Sequence, residues 1–255
     1  MTKEMLGIDI GGSGIKGAPV DLSDGSFVQE RYRVATPRPA KPKAVAKVVA
    51  EVVRHFGWDG PVGVTYPGVV VDGVTMSAAN VAKQWIGLDA ASLLADATGR
   101  EVTLLNDADA AGLAEMRLGR GRGRGGTVLL LTLGTGIGSA LFTEGVLVPN
   151  TEFGHIEIDG EDAELRASAK ARDEEELGWA EWAGRLSTYM ARLEALLSPS
   201  LIIVSGGVSK RSERFLPLIE GVRAEIVAAR LVNHAGIVGA AMAAADAQKA
   251  ARRKR

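Results

Sequence analysis

The chain has 255 residues, 46% hydrophobic and 24% charged, with a formal net charge of −1. That composition is ordinary for a globular protein of one or two domains with ample core, and the near-neutral charge argues against a dedicated nucleic-acid or membrane-surface binder. No cysteine is present, which excludes disulfides, thiolate metal sites and a cysteine nucleophile. The start "MTKEMLGIDI" runs straight into a strand-like segment, so no leader is expected. No apolar run is long enough to span a bilayer, and a soluble cytoplasmic protein is expected.

The first element carries a motif. In "GIDIGGSGIKGA", Gly12, Gly14 and Gly17 satisfy G-x-G-x-x-G, the dinucleotide-binding fingerprint. That fingerprint needs a helix after the glycines and an acid about 20 residues on for the ribose. Here "APVDLSDGSFVQERYRV" follows instead. Pro19 breaks a helix, "SDG" is a turn, and the place for the acid reads "RVATPRPAKPK", without one. The glycines therefore turn a hairpin, and residues Met5 to Val34 read as a strand meander. Next, "AVAKVVAEVVRHFG" places Val45, Val48, Val49, Val52 and Phe56 at helical spacing, with Gly57 as the stop. "PVGVTYPG" reads as a strand ending at Pro67-Gly68. "EVTLLNDADAAGLAEMRLG" reads as a strand running into a helix, with the boundary at Asn106-Asp107, both good N-cap residues.

"GRGRGRGG" (Gly119 to Gly126) reads as a basic loop whose arginines could steer a polyanion. "TVLLLTLGTGIGSALF" (Thr127 to Phe142) then repeats strand, glycine turn, strand. Aligned with the first hairpin, glycine, a hydroxyl residue, glycine and isoleucine recur in order, which points to a duplicated architecture. Each turn offers successive backbone N–H groups free of side chains, with hydroxyls at Ser13, Thr135 and Ser139, an arrangement that suits phosphate oxygens. "NTEFGHIEIDG" sets Glu152 and His155 three residues apart, acceptor and donor groups that suit paired sugar hydroxyls. "WAEWAGRLSTYMARLEALL" puts Trp179, Trp182, Leu186, Met190 and Leu193 on one helical stripe, for a core or a dimer interface. "LIIVSGGVSK" reads as a buried strand, a glycine turn and a helix. An alanine-rich terminal helix with a basic tail closes the chain.

The ordered set "GIDIGGSGIKGAPVD", "LNDADAAGLAE", "LTLGTGIGSALF" and "NTEFGHIEI" resembles the ROK family of sugar kinases. "GVTYPGVV", "AANVAKQWIG", "NTEFGH" and "AGIVGAAM" resemble its polyphosphate-using glucokinase branch. The resemblance covers nearly the whole chain. It implies an α/β, two-lobed actin-like ATPase (ribonuclease H-like) fold with a central cleft. The small lobe would span 1–108, joined by the terminal helix at about 236–255, and the larger lobe 109–235. It implies transfer of a phosphoryl group to the sugar 6-hydroxyl, with Asp107 as the catalytic base. Gly68, Asn80, Asn106, Asp107, Glu152, His155 and Glu164 would hold glucose. Asp9, Gly11, Gly12, Ser13, Gly14, Lys16, Gly134, Thr135, Gly136, Gly206 and Gly207 would meet the donor phosphates, the last two flanking adenosine in ATP-using relatives. Asp9 would also bear on Mg²⁺ through water. The donor would be polyphosphate, ATP or both, and a homodimer is expected.

One departure is plain. Typical members carry a cysteine-rich zinc motif just after the "GH", whereas this chain reads "GHIEIDGEDAELRASAKARDEEELG". No structural zinc is expected, and local folding must supply the rigidity. Three other readings stay open at this point: a strictly ATP-dependent hexose kinase, a sugar-sensing regulator, and an actin-like filament protein. The regulator would need a DNA-binding domain ahead of the first glycine turn.

Overall fold

The computed structural model describes residues 3–78 and 81–253. By contacts the chain divides into two compact units, 1–114 with 234–255, and 115–233.

The first unit opens with β1 (Glu4–Ile10), β2 (Ile15–Asp21) and β3 (Tyr32–Val34), an antiparallel meander. Helix α1 (Pro42–His55) follows, with Pro42 at its start and Gly57 just past its end at φ +55°. Its Val45, Val49 and Val52 are fully buried. Strand β4 (Val62–Tyr66) then pairs parallel with β1. A small ribbon of β5 (Val70–Val71), β6 (Val74–Thr75) and β7 (Leu88–Asp89) leads to α2 (Ala90–Thr98), which Asp89 caps through the Ser92 N–H. Strand β8 (Val102–Asn106) pairs parallel with β4 and runs directly into α3 (Asp107–Leu118). The sheet order is β3-β2-β1-β4-β8.

The second unit repeats this plan. Strands β9 (Thr127–Leu133), β10 (Ile137–Thr143) and β11 (Val146–Val148) form an antiparallel meander. A two-stranded ribbon, β12 (Glu157–Ile158) and β13 (Glu161–Asp162), precedes α4 (Ala163–Ala167), α5 (Ala169–Glu174) and α6 (Trp179–Leu197). Strands β14 (Leu201–Ser205) and β15 (Glu225–Ala228) complete a sheet of order β11-β10-β9-β14-β15, with β9, β14 and β15 parallel. Both sheets therefore place an antiparallel hairpin beside two parallel strands, and the duplication read from the glycine turns extends to strand order and direction.

The last helix, α7 (Ala235–Arg253), returns to the first unit and packs on β1, β4, β8 and β2. Its close seat explains two strand glycines. Gly7 and Gly63 are paired across β1 and β4. A Cβ on either would strike the α7 backbone at Ile237 or Ala240.

Trp182, on the stripe expected to serve a core or a dimer interface, is fully buried inside its own unit, where its indole N–H donates to the Ala167 carbonyl. It packs with Trp179 and Phe215. The segment after "SGG" is a 3-10 stretch over Gly207–Arg214, broken at Arg211, and not an α-helix. Its sequence "GVSKRSER" has no apolar stripe to drive a regular helix onto a core. The Arg-Gly segment is an ordered turn. Buried Glu115 accepts the Arg120 N–H through its carboxylate, and its carbonyl accepts the N–H groups of Gly119 and Gly121. The segment enters β9 at the end opposite Gly134, a strand length of about 20 Å from the second glycine turn.

Candidate active site

Each unit presents chemistry at the ends of its strands. In the first unit, β1 and β2 pair from Glu4↔Asp21 to Ile10↔Ile15, and the turn Gly11 to Gly14 closes between them. The Gly11 N–H donates to the Gly14 carbonyl at 3.1 Å. Two side chains from outside the turn fix its shape. The Thr36 hydroxyl donates to the Gly11 carbonyl, and the Arg33 Nη2 donates to the Ser13 carbonyl at 2.9 Å. The Arg33 guanidinium occupies the space a Cβ on Gly14 would take, so a side chain there would displace it. Gly12 and Ser13 are exposed at the tip.

Asp9, Lys16 and Arg33 lie directly opposite one another across β1, β2 and β3 and so share one face of the sheet. Asp9 Oδ2 pairs with Lys16 Nζ at 3.0 Å, and Oδ1 accepts the Thr65 hydroxyl at 2.7 Å. Gly236, at the start of α7, packs against this carboxylate, where a Cβ would stand 3.3 Å from it. A helix N-terminus favours a negative group there. Lys16 is thus held by Asp9 in this structure.

At the end of β8, Asn106 is nearly fully buried. Its Oδ1 accepts the N–H groups of Ala108 and Asp109, so it is the N-cap of α3. Its Nδ2 donates to the Gly68 carbonyl at 3.1 Å. Gly68 has φ +154°, and a Cβ there would crowd Tyr66 and the Ser77 hydroxyl. One buried amide therefore ties Gly68 to the start of α3. Asp107 is the first helical residue, with its Oδ1 accepting the Ala108 N–H. The other sugar residue implied for this unit, Asn80, lies outside the described residues.

In the second unit, Leu133↔Ile137 closes β9 and β10 around Gly134, Thr135 and Gly136, and the Gly134 N–H donates to the Gly136 carbonyl. Gly134 and Thr135 are exposed. Glu164, on α4, braces this turn. Its Oε2 accepts the Ile137 N–H at 3.0 Å, and it fills the space beside Gly136 that a Cβ would need. Gly206 follows β14 at φ +91° and lies against Leu133, so it abuts the same turn, with Gly207 next.

The segment "EFGH" is a 3-10 turn over Phe153–His155, with Glu152 just ahead of it. Gly154 lies against the Ile137 carbonyl with no room for a side chain. Ser139 was expected to offer its hydroxyl to phosphate; instead it is buried, donates to the Thr151 carbonyl and accepts the Phe153 N–H. Its work is to hold the Glu152–His155 turn on β10. Burial pushes the Glu152 carboxyl up, His155 opposes the shift, and Glu164 adds to it. The Asp162 hydrogen bond to His155 Nδ1, at 2.9 Å, raises the imidazole above its ordinary value. Burial opposes that rise, and the charges of Glu164, Asp162 and Glu152 reinforce it.

Four positioning residues were not singled out from the sequence: Arg33, Thr36, Thr65 and Asp162. Thr65 stood within the quoted "GVTYPGVV", but only the β1–β4 register, Asp9↔Thr65, exposes its role. Among the described residues, no group of three or more His, Cys, Asp or Glu side chains is placed to hold a metal ion. No helix among them is long and apolar enough to cross a membrane.

The chain belongs to the ROK family, whose model matches residues 5–171. Its fold is the actin-like α/β fold of ROK sugar kinases. Among individual proteins, it is 52% identical to the polyphosphate glucokinase of Mycobacterium tuberculosis (strain CDC 1551 / Oshkosh) over 239 residues, 93% of this chain and 90% of that one. The solved inorganic polyphosphate/ATP-glucomannokinase from Arthrobacter sp. strain KM superposes with a TM-score of 0.92 at 52% identity, covering 96% of this chain and 100% of that one. A ROK family glucokinase from Streptomyces griseus, solved with glucose and AMPPNP, superposes with a TM-score of 0.79 at 26% identity, covering 95% and 99%.

Proposed function

We propose that the protein phosphorylates glucose at O6, taking the terminal phosphoryl group from inorganic polyphosphate and also from ATP. The observation that carries this reading is the 52% identity to polyphosphate glucokinases over 93% of the chain. The placement of the motif residues at strand ends and turns supports it.

In the first unit, Asp107 accepts the O6 proton as the new O6–P bond forms. The bond from that phosphorus to the bridging oxygen of the donor breaks, leaving the donor one phosphate shorter. Asn106 sets the start of α3 and the Gly68 backbone, so it positions Asp107 and keeps one Nδ2–H for a sugar hydroxyl. Asn80 joins the sugar ligands by the family resemblance. The turn Gly11 to Gly14 and Lys16 hold donor phosphates. In the second unit, Glu152, His155 and Glu164 take sugar hydroxyls, Gly134, Thr135 and Gly136 take phosphate, and Gly206 and Gly207 flank the nucleoside when ATP is the donor. Phosphoryl transfer depends on positioning and charge more than on covalent work by the protein.

Mg²⁺, when bound, supplies positive charge to the phosphate oxygens. Asp9 would hold it through water, which suits a carboxylate whose two oxygens already meet Thr65 and Lys16. We further read the protein as a cytoplasmic homodimer, and light scattering that returns a monomer mass would refute the dimer.

Asp107→Asn tests the mechanism. It keeps the side-chain shape and removes the base, so glucose binding by calorimetry should stay close to wild type. Turnover should fall by roughly 10²- to 10⁴-fold, the usual worth of a positioned base. Turnover near wild type would reject Asp107 as the base.

A further inference from the structure

The segment after His155 is where the family resemblance implies a zinc motif that this chain lacks. It folds as a tight hairpin. Asp159 and Gly160 form its tip, both at positive φ (+55° and +86°), the conformation that two-residue hairpin turns favour. Strand β13 returns along β12 with Glu157 opposite Asp162, and the Ala163 N–H donates back to the Ile156 carbonyl at 2.9 Å. Arg166 pairs with Asp159 at 3.0 Å and ties the tip to α4. The consequence of this fold is local: it brings Asp162 back beside the ring of His155.

Asp162 Oδ2 lies 2.9 Å from His155 Nδ1. Glu164 Oε1 is 3.9 Å from the same nitrogen, too far for a hydrogen bond. Among the described residues, the ionisable groups facing the ring are Asp162, Glu164 and Glu152. Only Asp162 makes a hydrogen bond to it.

We propose that Asp162 is a positioning residue for sugar recognition: its carboxylate anchors the Nδ1–H of His155, so the ring meets a sugar hydroxyl through Nε2. This rests on the reading that Glu152 and His155 bind the sugar. The chemistry follows from what each group can do. Glu152 and Glu164, when ionised, only accept hydrogen bonds. A hydroxyl that donates its proton to one of them still has lone pairs to offer a donor. Imidazolium Nε2–H is that donor, and the carboxylate on Nδ1 both aims it and stabilises its charge. Without Asp162 the ring is free to exchange tautomers and to turn.

The imidazolium is lost as pH rises through the raised value of His155, so the glucose KM should climb over that window. In Asp162→Asn the climb should begin at lower pH.

The chain has three histidines, so ¹⁵N-histidine NMR of the whole protein resolves them, with His155 assigned by His155→Gln. The titration of His155 should move down by roughly one pH unit in Asp162→Asn. It should return most of the way in Asp162→Glu. The glucose KM of Asp162→Asn should rise roughly three- to tenfold, the worth of one hydrogen bond. The donor KM and kcat should change less, and Asp162→Glu should recover much of the loss. An unchanged His155 titration in Asp162→Asn overturns the proposal, and so does a shifted titration with an unchanged glucose KM. The NMR arm needs no turnover. A wild-type protein that makes no glucose 6-phosphate would therefore defeat the functional reading, while the titration still decides the pairing of Asp162 with His155.

Discussion

Asp9 shows how much of this site is second-neighbour work. Its position in "GIDIGG" is visible in the sequence, but what it does depends on Lys16 across one strand pair, Thr65 across another, and Gly236 from the far end of the chain. Arg33 is the same case. In sequence it is one of two arginines in the strand-like "RYRV"; in the structure it stands opposite Lys16 and closes over Gly14. Removing it should loosen the first glycine turn without touching the sugar residues. Arg33→Ala is expected to raise the KM for the phosphoryl donor severalfold, with the glucose KM within about twofold of wild type, because one hydrogen bond to the turn and one local charge are lost. Initial rates at varied donor concentration check this, and an unchanged donor KM would contradict the role given to Arg33. Residue types and spacing marked Asn106 and Asp107 as helix-cap residues and set Glu152 beside His155, while the catalytic and sugar roles proposed for Asp107 and Asn106 came from the family resemblance. Residue types and spacing could not show that Asn106 spends both ends of its amide on Gly68 and α3, or that Ser139 faces inward, because those depend on which way a side chain points.

At the scale of elements, the strand–turn–strand repeat was legible, since strict glycine placement between apolar runs has few other readings. The helix over Val45 to Phe56 was legible for the same reason: the apolar period matched and Gly57 stopped it. What failed was the stretch after Gly206. A glycine turn following a buried strand usually opens a helix, but "VSKRSER" supplies charge on every side, and a 3-10 stretch broken at Arg211 forms instead. Gly7 and Gly63 carried no signal at all, because a strand glycine has many explanations until the packed helix is seen. Their register pairing beneath α7 makes a specific prediction. Gly63→Ala should force the α7 backbone away from β4 and cost roughly 1–3 kcal/mol, the usual range for overpacking. Urea denaturation would measure it, and a stability equal to wild type would show that α7 is not seated as described.

For the whole molecule, the two sheets share one plan, β3-β2-β1-β4-β8 and β11-β10-β9-β14-β15, each with a glycine turn after its central strand. The duplication gives the chain two glycine turns of one kind, while the neighbouring polar groups differ: an Asn–Asp helix start in the first unit and a Glu–His turn in the second. A dinucleotide enzyme would have one such turn, opening into a helix. Turns that open into hairpins suit phosphate groups, and the choice between polyphosphate and ATP as donor is the point to test. The most direct test is the initial rate of glucose 6-phosphate formation by the purified protein, given glucose, Mg²⁺ and polyphosphate freed of nucleotide. Glucose 6-phosphate should form steadily without any nucleotide, and from ATP as well. Product from ATP alone, or none from either donor, would contradict the proposed function.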